Sequence, residues 1–529
     1  MYHKLFIGHV VVEATMISNR SYGLVPAIVT IALLLFATGS SSPFNSANAA
    51  KQLIKGDQST QQVQIINNST GSSSEQVAYN LAENKLPQGG AEGVNQTLIM
   101  GSGPPVSTGG GGGSGSTPCA PNDHVCHANQ QGGAPGVSAS TLPKGQSISQ
   151  LQNITNSPNS ENTQAGANKV QNVLDSKNSQ NSETLQIMPT NQGINQSQNV
   201  INSYGSSTQG ALNTKLNYAK GDNLDMEQHN HENQFIKQTQ TSTRTPDSNL
   251  LQSAVNDKSQ TMIGDNNNVH THLYGNQGLE QNQDASNIGG VDFIQTADNT
   301  QRNYYRGSGS TIVQDINTTQ GLSQKQTNSE HAFNPDVGIL YAQTGSNLAE
   351  NEETASDSQT TQSVKGPQTI GQDQFLHLTP DALNVGNAEN RIINRDNAGQ
   401  DGTTQSADVN QSISQSQRIL HGITSGNTLL MNTRNTALND DNTHSNTEQS
   451  IIGTQRIDSR QQANLSPDSI LDNKAYNLMQ NQRTSAIGGD LSQAIGPTQQ
   501  TAIQNNNIAN TPNIVSPQTT NNVIQNQYP

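Results

Sequence analysis

Glutamine recurs on a fixed clock in this chain, and the clock decides what it can fold into. The pattern Gln, any residue, Ile or Leu, any residue, Gln, any residue, Gln occurs seven times, starting at Gln146, Gln192, Gln234, Gln277, Gln320, Gln368 and Gln411. Degraded copies start at Gln455 and Gln499. Successive starts lie 42 to 48 residues apart, a period of about 44 residues that marks a tandem-repeat architecture. Positions 1, 3, 5 and 7 of the septet share one face of a β-strand, whereas a helix scatters them. Three glutamines and one aliphatic residue therefore face the same way in every copy.

Two further elements keep the same time. Gln, any residue, Ala or Gly, any residue, Asn spans Gln164–Asn168, Gln209–Asn213, Gln252–Asn256, Gln295–Asn299 and Gln343–Asn347, with weaker copies ending at Asn390, Asn435 and Asn477. Prolines flanked by turn-forming residues punctuate the repeat at Ser157-Pro158-Asn159, Thr245-Pro246-Asp247, Asn334-Pro335-Asp336, Thr379-Pro380-Asp381, Ser466-Pro467-Asp468 and Thr511-Pro512-Asn513. Proline fixes φ and its neighbours close turns onto the backbone, so these positions mark unit boundaries. Gly264-Asp265-Asn266, Gly307-Ser308-Gly309 and Gly488-Gly489-Asp490 supply further turn signals. Each unit reads as strand, turn, strand, turn.

Composition leaves two folds open. Asn and Gln together number 126 of 529 residues, charged residues make up 12%, Trp is missing and mean hydropathy is −0.70. So few apolar side chains cannot offset a backbone ordering cost of roughly 1–2 kcal/mol per residue in an ordinary globule. Stacked in register, however, same-face glutamines can each donate to one neighbouring copy and accept from the other, with the Ile or Leu as a thin dry stripe. The first reading is a low-complexity tandem-repeat chain forming a β-rich polar array, solenoid or fibre-like, of about 44-residue units with extensive disordered segments. The alternative is a chain almost wholly disordered apart from an N-terminal apolar helix.

The N-terminus reads as an address. Leu24 to Ala37 is an apolar run of 14 residues, preceded by Arg20 and followed by small residues ending Ala47-Asn48-Ala49-Ala50. That length suits the hydrophobic region of a signal peptide better than a bilayer span, with cleavage expected after Ala49 or Ala50. Met16 opens a more typical signal peptide than Met1 does. The competing expectation is a retained membrane anchor over residues 24–37. The net charge of −15 is spread thinly, and no Lys/Arg cluster offers nucleic acid or an anionic membrane a counterion-releasing surface.

Ahead of the repeats, residues 50–106 read as an irregular polar segment. It contains one helix candidate, Ser72 to Leu86, with a capping box in Ser72 and Glu75. A Gly/Ser linker follows over 107–117, and residues 118–127 hold the two cysteines, Cys119 and Cys126. In an exported chain that pair is expected to close a small disulfide loop; a metal site from Cys119, His124, Cys126 and His127 has suitable atoms but no family spacing. The loop stands where counting back from Gln146 places the first short arm, as an atypical capping unit would. Residues 128–529 are the repeats.

Two histidine pairs, His229/His231 and His270/His272, precede successive septets, and stacking would bring their imidazoles together as surface polar groups or a pH- or metal-responsive cluster. Sequons at Asn67, Asn68, Asn95, Asn153, Asn195, Asn317, Asn410 and Asn464 are what so Asn-rich a chain produces by chance. No nucleophile elbow, phosphate loop or zinc-protease helix is present, and neither a catalytic residue nor a cofactor is expected. The function expected is that of an exported, non-enzymatic structural or adhesive protein of the cell surface or extracellular matrix. It would self-associate through its repeats or bind other surface components, and meet a membrane only through an uncleaved N-terminal segment. The alternative is a disordered extracellular stalk presenting repeated short binding motifs.

Overall fold

The structure, a computed structural model, describes residues 50–528 except 56, 88–92, 100–105, 108–140, 143–144, 176–181, 246–248, 287–291, 330–338, 378–381, 398–401, 421–426, 444–445 and 485–488. Among the described residues every regular element is a β-strand. Apart from Val106–Ser107 against Thr141–Leu142, which is antiparallel, the strands pair in parallel into a 16-stranded and a 10-stranded sheet. Parallel neighbours need a connection that returns to the starting side, and here each return is made by the opposite sheet. The result is a two-sheet β-solenoid.

Among the described residues it has ten coils, each of three parts. A lead strand runs in the larger sheet, a septet strand continues in that sheet, and an arm strand crosses back in the smaller one. One coil comprises Asn268–Tyr274, Gln277–Ser286 and Phe293–Ser308. In the third to sixth coils a two-residue kink separates lead and septet strands, at Thr190-Asn191, Glu232-Asn233, Gly275-Asn276 and Thr318-Thr319. From Gln359 onward lead and septet merge into single strands, Gln359–His377, Thr403–Leu420, Thr447–Asn464 and Leu491–Ala509.

The turns follow the sequence signals wherever they are described. The septet-to-arm turns at Ser157-Pro158-Asn159, Ser466-Pro467-Asp468 and Thr511-Pro512-Asn513 place Asn159, Asp468 and Asn513 at positive φ, the left-handed region that Asn and Asp tolerate. The arm-to-lead turn at Gly264 needs glycine, since a Cβ there would stand 1.8 Å from the carbonyl oxygen of Gly221 one coil below.

Three expectations give way. Ser72 to Leu86 is not a helix: Ser73–Pro87 is an arm strand, paired residue for residue with Glu161–Asp175. Residues 50–99 are not irregular, because Ala50–Lys55, Gln58–Asn67 and Ser73–Pro87 form the first coil and Gly93–Ile99 opens the second. Gln58 pairs directly with Gln146, so the stretch 100–145 falls between the lead and septet strands of the second coil and replaces no arm. The linker from residue 108 and the Cys119–Cys126 loop lie outside the described residues, as do the apolar run 24–37 and Ala49; Ala50 begins the first strand. Among the described residues no helix is long and apolar enough to cross a membrane.

The core between the sheets is narrow. The septet's third position supplies Ile148, Ile194, Ile236, Leu279, Leu322, Ile370, Ile413 and Ile457, all buried in one stripe with Ala78, Ala211, Ala254, Ala297, Ala388 and Ala475 from the arm. The small arm residue lets the sheets approach. A Cβ on Gly345 would meet Leu322 Cδ2 at 3.0 Å, and one on Gly166 would meet Ile194 Cγ2 at 3.2 Å.

Candidate functional site

Alternation puts septet positions 1, 5 and 7 inside the solenoid, where a primary amide is stable only with every hydrogen-bonding group partnered. Stacking meets that demand. Gln146, Gln192, Gln234, Gln277, Gln320, Gln368 and Gln411 lie in one column, extended at one end by Gln58 and at the other by Gln455 and Gln500. Each Nε2 donates to the Oε1 of the coil before it, at 2.6–2.9 Å from Gln146 to Gln500. The other amide hydrogen crosses to a main-chain carbonyl of the opposing sheet, as from Gln234 to Asp257 and from Gln277 to Thr300, both at 2.9 Å. A carbonyl already in a ladder has a second lone pair for this bond. Each ladder thus ties coil to coil and sheet to sheet.

Positions 5 and 7 build parallel ladders, such as Gln238, Gln281 and Gln324 and Gln240, Gln283 and Gln326. In the arm, Asn80, Asn168, Asn213, Asn256, Asn299, Asn347, Asn390, Asn435, Asn477 and Asn522 form a column of opposite polarity. There each Nδ2 donates to the Oδ1 of the following coil, at 2.8–3.0 Å. The last copy of the septet enters one residue later than its sequence suggests: the partner of Gln455 is Gln500, not Gln499, after a register shift near Gly453.

Where a column changes residue, the ladder ends on an unsatisfied acceptor. Gln343 Oε1 is buried without a partner where the next coil holds Gly386, and Gln415 Oε1 where the next holds Ser459. A Gln ladder therefore always stops with its acceptor toward the C-terminal end.

The kinks explain a second buried polar set that the sequence did not reveal. At an arm position facing the kink, successive coils carry Lys215, Lys258, Gln301, Ala349, Ile392, Ala437 and Met479. Lys215 Nζ donates to the carbonyl of His231 at 2.8 Å, and Lys258 Nζ to those of Glu232 and Tyr274 at 2.7 and 3.0 Å. Gln301 reaches Thr318. Donors thus stand in the third to fifth coils, where they reach carbonyls or the Thr318 hydroxyl at the kinks, and apolar residues stand from the sixth coil onward. Both lysines are fully buried. Burial pushes Lys258 down to about 7; burial, then the charge of Lys258, holds Lys215 well below the usual lysine range.

The sign of the resulting pH dependence follows. The folded chain binds fewer protons at Lys258 than the unfolded chain, where lysine titrates near 10.5, so stability rises with pH between about 7 and 10.5. Lys258→Met is expected to lower the thermal midpoint at pH 7, because two buried carbonyls lose their donor, and to flatten that slope. Thermal denaturation followed from pH 7 to 10 checks both. Glu353 works oppositely: burial and the neighbouring Asp396 raise it, so its contribution is lost as pH climbs above the ordinary carboxylate range.

The histidines are brought together in part. His229, His231 and His272 stack on the outer face with Tyr274, with ring centroids 5.0–5.7 Å apart; His270 lies outside the stack, opposite Glu227 in register. The rings lie face to face and do not converge on a point, and among the described residues no group of three or more His, Cys, Asp or Glu is placed to hold a metal ion. Burial first, then His229, pushes His231 down to about 4.

No protein-family model, curated protein or solved structure matches this chain. The class stands on the fold alone: an all-β, Gln/Asn-rich tandem-repeat solenoid with an amide-laddered core.

Proposed function

We propose that the chain is an exported, non-enzymatic structural or adhesive protein of the cell surface or extracellular matrix, acting as a stiff β-rod and associating into fibres. One observation carries the reading: the Gln58-to-Gln500 ladder continues without interruption through all ten coils, so the buried polar atoms are spent on mechanical continuity. Ten coils at about 4.8 Å each make a rod of roughly 45 Å. The signal-peptide pattern over residues 16–50 supports export. Purified chain is expected to give a β-type far-UV circular dichroism spectrum and, when aligned, a fibre reflection near 4.7–4.8 Å. A random-coil spectrum under every assembly condition would sink the proposal in favour of a disordered stalk. Sequencing of the mature N-terminus tests export separately, with a start at Ala50 or Lys51 expected.

A further inference from the structure

We infer that the two ends of the solenoid are complementary surfaces for a second copy of this chain, the first coil of one molecule stacking head to tail on the tenth coil of another. The inference rests on the β-rod reading and deepens it by naming partner and contact. Both ends present the same three rows. The N-terminal end offers Ala50–Lys55, Gln58–Asn67 and Ser73–Pro87; the C-terminal end offers Leu491–Ala509, in place of lead and septet, and Gln518–Gln527 as the arm. Continuing the register by one coil sets Gln500, Gln504 and Asn506 against Gln58, Gln62 and Gln64, and Asn522 against Asn80.

The hydrogen-bond polarity of the rows matches across that joint. Interior septet glutamines use one amide hydrogen on the opposing sheet and the other on the preceding coil. Gln58 and Gln62 make the first bond, to Leu81 and Val77 at 2.8 Å, and among the described residues no preceding coil receives the second. At the other end, Gln500 donates to Gln455 at 2.8 Å, and its Oε1 points onward as the next acceptor. The asparagine column runs the other way and fits equally: Asn477 donates to Asn522 at 2.8 Å, leaving the Asn522 amide to donate to Asn80 of the next molecule. Both rows match head to tail, whereas an end-to-same-end pairing that sets each row against itself faces donors with donors and acceptors with acceptors.

The C-terminal coil and the N-terminal septet strand also lack the charges that protect sheet edges, which in the first coil stand on the lead strand, its link to the septet and the arm, at Lys51, Lys55, Asp57, Glu75, Glu83 and Lys85. Residues 491–529 contain no Asp, Glu, Lys, Arg or His, nor do residues 58–74, although charge is the usual guard against edge pairing. Among the described residues, seven of the thirteen exposed large hydrophobic residues belong to the first and last coils, among them Val63 and Ile65 at 58% and 64% exposure and Ile524 at 49%. Ile508 ends the register column that begins at Ile66, so the joint would also set these two isoleucines against one another. A head-to-tail contact of this kind does not close on itself and propagates as a filament.

Two charge-blocked chains test this. Gln62→Lys blocks the N-terminal end, and Gln504→Lys/Asn522→Lys blocks the C-terminal end. By analytical ultracentrifugation the parent chain is expected to form polymers, each blocked chain at least tenfold less polymer, and their mixture a 1:1 dimer through the two intact ends, with nothing longer. Polymers undiminished in both blocked chains, or dimers of either alone, would overturn the inference. So would a parent chain that stays monomeric both complete and when started at Lys51. Polymer only from the chain started at Lys51 supports it, with residues 1–50 as a removable cover. Circular dichroism separates the two proposals: β-spectrum without polymer overturns the joint alone, and random coil overturns the rod. Gln504→Glu in place of Gln504→Lys supplies an independent C-terminal block if the lysine chain loses its β-spectrum.

Discussion

Gln281→Glu is expected to cost about 3–5 kcal/mol at neutral pH, the range for a buried charge left uncompensated. Gln281 donates to Gln238 Oε1 at 2.8 Å and to the Thr296 carbonyl at 2.9 Å, and accepts from Gln324 Nε2 at 2.8 Å. A carboxylate keeps only the last of these and turns its second oxygen on two acceptors. Acidification should recover part of the loss, because the protonated acid donates one hydrogen. Its folded pKa is raised by burial, so the penalty grows as pH rises through the ordinary carboxylate range. Gln281→Leu, of similar size, leaves the same neighbours unpartnered at about 1–3 kcal/mol per buried group and lacks the pH term. Contacts in a solenoid are between neighbouring coils, so hydrogen exchange should report the opening chiefly in Gln234–Thr243, Gln277–Ser286 and Gln320–Asn328. Urea denaturation at pH 4 and pH 7 with exchange mass spectrometry decides it; equal loss at both pH values would contradict the ladder geometry.

The second large effect concerns the dry stripe. Gly345→Leu forces a side chain into a gap where even a Cβ meets Leu322 Cδ2 at 3.0 Å, and overpacking of this kind costs about 1–3 kcal/mol, sometimes more. Leu322→Ala alone should cost about 2–5 kcal/mol through its cavity. Combined, the two exchange a large and a small residue across the sheets, so the double variant should be more stable than the sum of the single losses predicts. A double-mutant cycle by denaturant titration measures the coupling, and strict additivity would mean that the two residues do not oppose one another.

Much of the core was legible in the sequence because a strand's side-chain period is two residues and stacking demands identity along a column. Gln192, Gln234 and Gln277 could be aligned by counting alone. The first coil escaped because Thr60 stands where other septets have Ile or Leu, and because Ser72 and Glu75 mimic a helix cap. The missed signals were nevertheless present: Gln76-Val77-Ala78-Tyr79-Asn80 is a full copy of the short arm, and Gln58 precedes Gln146 by 88 residues, two periods. A stacked amide column outweighs a local capping preference.

Sequence by itself determined the period, the strand alternation, the proline-marked turns and the identity of the stacked glutamines, since each depends on spacing along the chain. Only the tertiary structure decided that each coil has a lead, a septet and an arm part, that the small arm residue faces the septet aliphatic, and that the Gln and Asn columns run with opposite polarity. It also decided why Lys215 and Lys258 are buried. Their partners are carbonyls of His231, Glu232 and Tyr274, main-chain atoms that point inward only because the strand kinks there, and no side-chain pattern records the direction of a carbonyl.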